Sequence, residues 1–315
     1  MTPNSPLLSH NSLFPNLFIV GAAKSGTTAL HYALDQHPQV YMSKKKEPGY
    51  FVWPEEELQF INNGKLITQP RFLVNHLDDY LKLFEVGTEK KIRGESSTTY
   101  LFFYDKAIAN IRRIHPHPEQ VKIVIVLRNP VDRAFSQYMH KLRDGAESLS
   151  FEEALEKADW RRENNWHFDY QYLHRGMYYE QVKGYMDNFP SVKIYLSDDL
   201  RKDSSGVVNS LEDFLEIDRM PLDFGDALNV SGEPKVEALN KFLKKKNPLK
   251  SFLGKLLPQE LRRKARLKVQ STVYKYNLEK KEMSSETREQ LGKIFHDDVL
   301  KLQDLIDRDL SAWMV

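Results

Sequence analysis

The chain of 315 residues contains no cysteine. Disulfides, thiolate metal sites and cysteine nucleophiles are therefore excluded together. No apolar run approaches the ~20 residues that a membrane-spanning helix requires. The opening "MTPNSPLLSHNSLFPN" has neither the basic start nor the apolar centre of a secretory signal, so the expected location is cytoplasmic. A strong net charge is missing too: 46 Lys and Arg against 44 Asp and Glu leave +2, no overall reason to expect nucleic acid as a partner. Internal repeats and low-complexity stretches are absent. With 41% hydrophobic and 29% charged residues, what remains is the composition of a globular protein long enough to bury a core.

Apolar patterning gives the organisation. "NLFIV" (Asn16 to Val20) reads as a strand entering directly into glycine, and "TTALHYALDQ" as the helix that follows, ended by His37-Pro38. Residues 38–87 look irregular, as a long substrate loop would. "KIRGESSTTYLFF" predicts a strand broken by a turn at Gly94, then a helix over "DKAIANIRRI". "VKIVIVL" (Val121 to Leu127) is apolar without alternation, the pattern of a strand buried on both faces of a parallel sheet. It feeds a helix that starts at Asn129-Pro130 and stops at Gly145. "YYEQVKGYMDNF" and "VKIYL" repeat the helix and strand alternation. The expected fold is α/β: a P-loop-like three-layer arrangement with a central, mostly parallel sheet flanked by helices, plus a helical C-terminal extension. The chain reads as one domain, with the α/β core over 16–232 and the extension over 233–315. The last helix is expected to bury Leu291, Ile294, Phe295, Val299, Leu302, Leu305 and Ile306 on one face.

The strongest chemical signal is "GAAKSGTT". A strand that ends in glycine and opens a helix presents free N–H groups and a positive dipole end to an anion. Lys24 and the hydroxyls of Ser25, Thr27 and Thr28 add charge and donors around Gly26. Gly21 and Gly26 have the spacing of a nucleoside triphosphate loop, but Thr27 stands where that motif has lysine, and Lys24 lies inside the loop. No acidic residue closes "VKIVIVLRN" to hold magnesium. A triphosphate with its metal is thus disfavoured.

"VGAAKSGTTALHYALDQHP" resembles the 5′-phosphosulfate loop of sulfotransferases that use 3′-phosphoadenosine-5′-phosphosulfate (PAPS), and "IVIVLRNPVDRAFSQY" resembles their 3′-phosphate segment. Further likeness to bacterial and heparan sulfate sulfotransferases lies in "HPQVYMSKKKEPGYF", "RGESSTTYL" and "GMYYEQVKGYMDNFP". The resemblance implies PAPS as co-substrate, PAP as product and no metal. Arg128 and, eight residues on, Ser136 then fit a terminal 3′-phosphate, helped by the N-terminus of the helix they enter. The alternative for Arg128 is a structural pair with Asp132. Lys24 fits the bridging oxygen of the scissile bond. By position in the heparan-type pattern, Glu47 is the catalytic base; the other reading is a surface acid in a charge run.

Glu95 is a second acid, supporting the base or contacting substrate, although Ser96 stands where heparan-type enzymes tend to have lysine. His140, four residues after Ser136, shares its helix face and is a further substrate-site candidate. At the adenine end only Lys235 in "NVSGEPK" offers itself. The basic stretch 241–268, with Glu260 its one acid, is either a solvated helix pair or a peripheral contact with a membrane or an anionic glycan. The acceptor implied is a carbohydrate hydroxyl, with a small-molecule hydroxyl or amine as runner-up. A P-loop kinase and a non-catalytic anionic-polymer or membrane-binding protein are the more distant readings.

Overall fold

The structure is a computed structural model that describes residues 10–68, 73–224, 233–234, 278–279 and 282–314. The strands are β1 (Leu17–Gly21), β2 (Val40–Met42), β3 (Gln59–Asn62), β4 (Lys65–Thr68), β5 (Ile92–Ser96), β6 (Lys122–Leu127) and β7 (Ser191–Leu196). Between them run α1 (Thr27–Leu34), α2 (Leu77–Leu81), α3 (Thr99–Phe102), α4 (Tyr104–Ile114), α5 (Pro130–Arg143), α6 (Phe151–Glu156), α7 (Ala158–Glu163) and α8 (Tyr179–Asn188). After β7 come α9 (Ser197–Lys202), α10 (Ser204–Leu215) and the C-terminal helix Ser285–Ile306.

Five strands form one sheet in the order β2-β5-β1-β6-β7, every pair parallel. The period of two along a strand splits the apolar run of β6 between two cores: Ile123, Ile125 and Leu127 enter one, Val124 and Val126 the other. β1 divides the same way, with Phe18 and Val20 on one face and Leu17 and Ile19 on the other. A helix packs on each face in consequence. Leu30 and Leu34 of α1 join the Leu17 side, whereas Val131, Ala134 and Tyr138 of α5 join the Phe18 side. Helices leaving neighbouring strands β1 and β6 on opposite faces open a crevice at the carboxyl edge, where open parallel sheets place their ligands.

Three local expectations are corrected. Residues 38–87 are not merely a loop: they supply the edge strand β2, the antiparallel hairpin β3–β4, and the fully buried Tyr50, Phe51 and Val52. A three-residue strand is too short to show a period, and this one lay hidden among charges. Gly94 does not break its strand but lies within β5; a Cβ there would sit 2.5 Å from Met42 Sδ and 3.1 Å from Leu17, so the glycine lets neighbouring strands' side chains close over it. On the C-terminal helix, Leu291, Phe295, Val299 and Leu302 are buried, but Ile294 is 48% exposed because it lies at the rim of the apolar stripe. The C-terminal helix itself follows the α/β core as expected. It packs on α5 and α8 within the larger core, Arg288 pairs with Asp132 at 2.7 Å, and Asp298 accepts from the Tyr178 and Tyr179 N–H groups at the start of α8.

Gly21 has a packing reason beside its place in the phosphate motif. A Cβ at this position would lie 2.5 Å from Leu101 Cβ on α3, an atom that cannot move without its backbone. Gly21→Ala is expected to destabilise the fold by about 1–3 kcal/mol through overpacking, read as a lower denaturant midpoint at unchanged slope.

Candidate active site

The loop between β1 and α1 turns twice through left-handed backbone, at Lys24 (φ 70°) and Gly26 (φ 99°). The second turn costs glycine nothing; the first places a lysine where a side chain is disfavoured, the kind of strain that persists at functional sites. No side chain caps α1, and its first internal bond is Leu30 N–H to Gly26 O at 3.2 Å. The N–H groups of Thr27, Thr28 and Ala29 thus precede the helical ladder, forming the positive end of the helix. Ser25 is 1% exposed and its Oγ has no hydrogen-bond partner, whereas buried hydroxyls are ordinarily satisfied. Thr27 is buried and Thr28 exposed.

Lys24 and Arg128 meet across the crevice. Arg128 leaves the end of β6 and its Nη1 donates to the Lys24 carbonyl at 3.1 Å, tying the glycine loop to the end of β6. Its Nε is buried without a partner, and Tyr178 Oη donates to its carbonyl at 3.1 Å. Asp132 pairs with Arg288, so the structural Arg128–Asp132 pair is not what forms. Burial pulls the Lys24 ammonium down to about 8, reinforced by the positive charges of Arg143 and Arg128 and opposed by Asp169 and Asp144. An anion entering between Lys24 and Arg128 would relieve both.

Glu47 is fixed to the end of β5. Its N–H donates to Ser96 O at 2.9 Å, and its carboxylate accepts from Thr98 N at 2.7 Å and from Lys46 Nζ at 2.8 Å. The side chain remains 33% exposed, and its φ of 58° is again left-handed. Two oxygens with four lone-pair sites leave room for a substrate proton. Glu95, one register step from Ile19 of β1, is wholly buried and accepts from Tyr80 Oη, Tyr100 Oη and Ser97 Oγ at 2.7, 2.7 and 2.6 Å. A side chain so enclosed presents no surface to a substrate.

The remaining candidates divide. Ser136 is half-buried on the second turn of α5, and His140 follows on the same face, close enough to Lys24 for their charges to interact. Burial, then Lys24, push His140 down to about 4, with Asp144 at 3.7 Å opposing. The N-terminus of α5 is not the free anion site expected beside Arg128. Asn129 Oδ1 already accepts from Val131 N at 2.9 Å and Asp132 N at 3.4 Å, so Asn129 caps its own helix. Lys235 and the basic stretch 241–268 lie outside the described residues.

Sequence reasoning missed three groups. His31 of α1 is buried with Nδ1 3.0 Å from Ser96 Oγ, joining the loop helix to β5. Arg143 stands among the charges around Lys24. Asp169, bound to Lys141 at 3.1 Å and Arg175 at 2.7 Å, is with Asp144 one of the two carboxylates acting on Lys24; burial would raise its carboxyl, but Lys141, His167 and Arg175 outweigh that and hold it well below the usual range. Arg143 comes from α5 and Asp169 from the non-periodic "HFDYQYLHRG", so no local pattern marks either. Among the described residues, no helix is long and apolar enough to cross a membrane.

Comparison with known proteins bears on this arrangement. The sequence model of the sulfotransferase family matches residues 15–221, which span every described candidate. The human bifunctional heparan sulfate N-deacetylase/N-sulfotransferase 2 is 29% identical over 213 residues, 64% of this chain and 22% of that protein. Mouse carbohydrate sulfotransferase 15 is 26% identical over 175 residues, 46% of this chain and 30% of its own length. The chain thus spans less than a third of these curated relatives. The crystal structure of a sulfotransferase from Alicyclobacillus acidocaldarius is 31% identical and superposes with a TM-score of 0.71, covering 96% of this chain and 99% of that one. On the family match, and on a likeness that runs nearly the full length of a solved relative, the chain belongs to the sulfotransferase family.

Proposed function

We propose that the protein transfers a sulfuryl group from PAPS to a hydroxyl of a carbohydrate acceptor by in-line displacement without a metal. The observation that carries the donor reading is the union of an uncapped α1 N-terminus with Lys24 and Arg128 at one crevice. The orphaned Ser25 Oγ and Arg128 Nε are groups that phosphate oxygens would satisfy. The α1 amides with Ser25, Gly26, Thr27 and Thr28 would hold the 5′-phosphosulfate, and Arg128 with Ser136 the 3′-phosphate; Lys235 belongs to the same proposal at the adenine end. The donor supplies an activated sulfuryl group whose S–O bond to the 5′-phosphate breaks. Glu47 takes the acceptor proton as the new O–S bond forms, and Lys24 meets the charge that develops on the departing bridging oxygen. The carbohydrate reading draws support from what the curated relatives are named for. His140 of α5, close enough to Lys24 for their charges to interact, is the further acceptor-site residue of this proposal.

Calorimetry with PAP in the presence of EDTA, followed by transfer of radiolabelled sulfate from PAPS to a panel of glycans and of small hydroxyl and amine compounds, tests both halves. Stoichiometric PAP binding and labelled glycan are expected. Absence of PAP binding overturns the donor assignment; label on small compounds alone overturns the acceptor class.

A further inference from the structure

The mechanism above leaves Glu95 unused, although it is a fully buried carboxylate beneath the proposed base. Its hydrogen bonds have a direction. Carboxylate oxygens only accept, so Ser97 and Tyr100 must spend their single protons on Glu95. Their lone pairs then serve two backbone donors: Gly49 N–H to Ser97 Oγ at 3.1 Å, and Phe51 N–H to Tyr100 Oη at 3.3 Å. Both donors lie in the turn that follows Glu47. Thr98, whose N–H holds the Glu47 carboxylate, is the residue after Ser97. Two relays therefore run from one buried charge to the segment that carries the base, and a third donor, Tyr80 on α2, closes the site.

We propose that Glu95 is a positioning residue whose ionised carboxylate, acting through Ser97 and Tyr100, locks the 47–51 turn and so sets the catalytic geometry of Glu47. This rests on the assignment of Glu47 as base. If Glu95 gains a proton, its new O–H needs an acceptor. Ser97 or Tyr100 can provide one only by giving up the acceptor for its own proton, while Gly49 and Phe51 must still donate. The relay loses a bond and the turn loosens. Burial pushes the Glu95 carboxyl up to about 7 against its three hydroxyl donors, with Glu47 adding to the rise. The other titratable groups facing it are Tyr80 on α2, Tyr100 on α3 and Tyr185 on α8, all raised well above 10 by burial and therefore neutral across this range. Tyr50, stacked on Tyr80, is raised as well. The lock is open below about pH 7 and closed above it.

The test is amide hydrogen exchange across residues 47–51 between pH 6 and 8, corrected for the intrinsic rate, beside kcat against pH. In the wild type, protection of Gly49 and Phe51 and kcat are expected to rise together through pH 7, each by about tenfold, the scale on which outer partners tune a site. In Glu95→Gln the rise through pH 7 should vanish from both, leaving turnover only the alkaline fall set by Lys24, with kcat about tenfold lower than wild type at pH 8 and PAP affinity unchanged. Ser97→Ala and Tyr100→Phe remove one relay each and should deprotect Gly49 and Phe51 respectively, which keeps the test open if Glu95→Gln fails to fold. Wild-type protection and an unaltered pH profile in Glu95→Gln, or in both single-relay variants, would overturn the proposal. Loss of PAP binding in the wild type would instead indict the donor site, and exchange that tracks Glu95 without any change in kcat would indict Glu47 as the base.

Discussion

Replacing Lys24 with alanine is expected to lower kcat by about 10²–10³, the cost of removing one group aimed at charge developing in the transition state. The effect belongs to turnover more than to affinity, because Arg128 and the α1 amides stay in place to hold the donor. It also carries a pH signature. With its ammonium pulled down to about 8, Lys24 is charged below that pH and neutral above it, so wild-type kcat/KM should fall as pH rises through 8. Lys24→Arg keeps the charge at all working pH and should remove this alkaline limb even if its rate is lower. Stability runs the other way. The folded state holds Lys24 below its ordinary value of 10.5, so the unfolded chain binds the extra proton between pH 8 and 10.5 and stability rises with pH there. Lys24→Ala should therefore leave Tm unchanged or higher at pH 7. A kcat within threefold of wild type, or a falling Tm that accounts for the lost activity, would remove Lys24 from the proposed role.

Glu47→Gln is the companion experiment, with an expected loss of about 10²–10⁴ in kcat, the range for a positioned general base. Glutamine keeps the shape, and its amide oxygen can still accept from Thr98 N–H, so the turn and the PAP site should persist. What disappears is the capacity to take a proton. Single-turnover rates with labelled PAPS would fall while calorimetric affinity for PAP stays within about twofold of wild type, since a base has no part in holding the donor. If transfer survives at more than a tenth of the wild-type rate, another group removes the proton. His140, near Lys24 across the same crevice, is the first alternative to mutate.

The proposed donor half of the site was legible because it is written in consecutive residues. "GAAKSGTT" follows an apolar strand, and "RNPVDRAFS" follows another; the two strands are neighbours, so their loops meet. The proposed acceptor half was legible only through resemblance. Glu47 and Glu95 lie 48 residues apart in sequence, and their proximity depends on β5 inserting between β1 and β2, a strand order that no local pattern encodes. The self-capping Asn129 shows the opposite error. The helix starts at Asn-Pro as expected, but its N-terminus is not free to help hold an anion, because asparagine at that position satisfies the first N–H groups itself. Arg161 and Glu147, a buried bidentate pair at 2.7 and 2.9 Å that also holds Tyr172, gave no sequence signal at all, since charges buried in partnership look like any other surface charges.

The helix Ser285–Ile306 lies beyond residue 221, where the family match ends, yet Phe295 packs within 3.0 Å of where a Cβ on Gly176 would stand, and Asp298 caps α8. A truncated version cut at the family boundary would keep every described residue of the proposed donor site and strip the cover from α5 and α8. Such a fragment would expose a contiguous apolar face and be expected to aggregate rather than turn over.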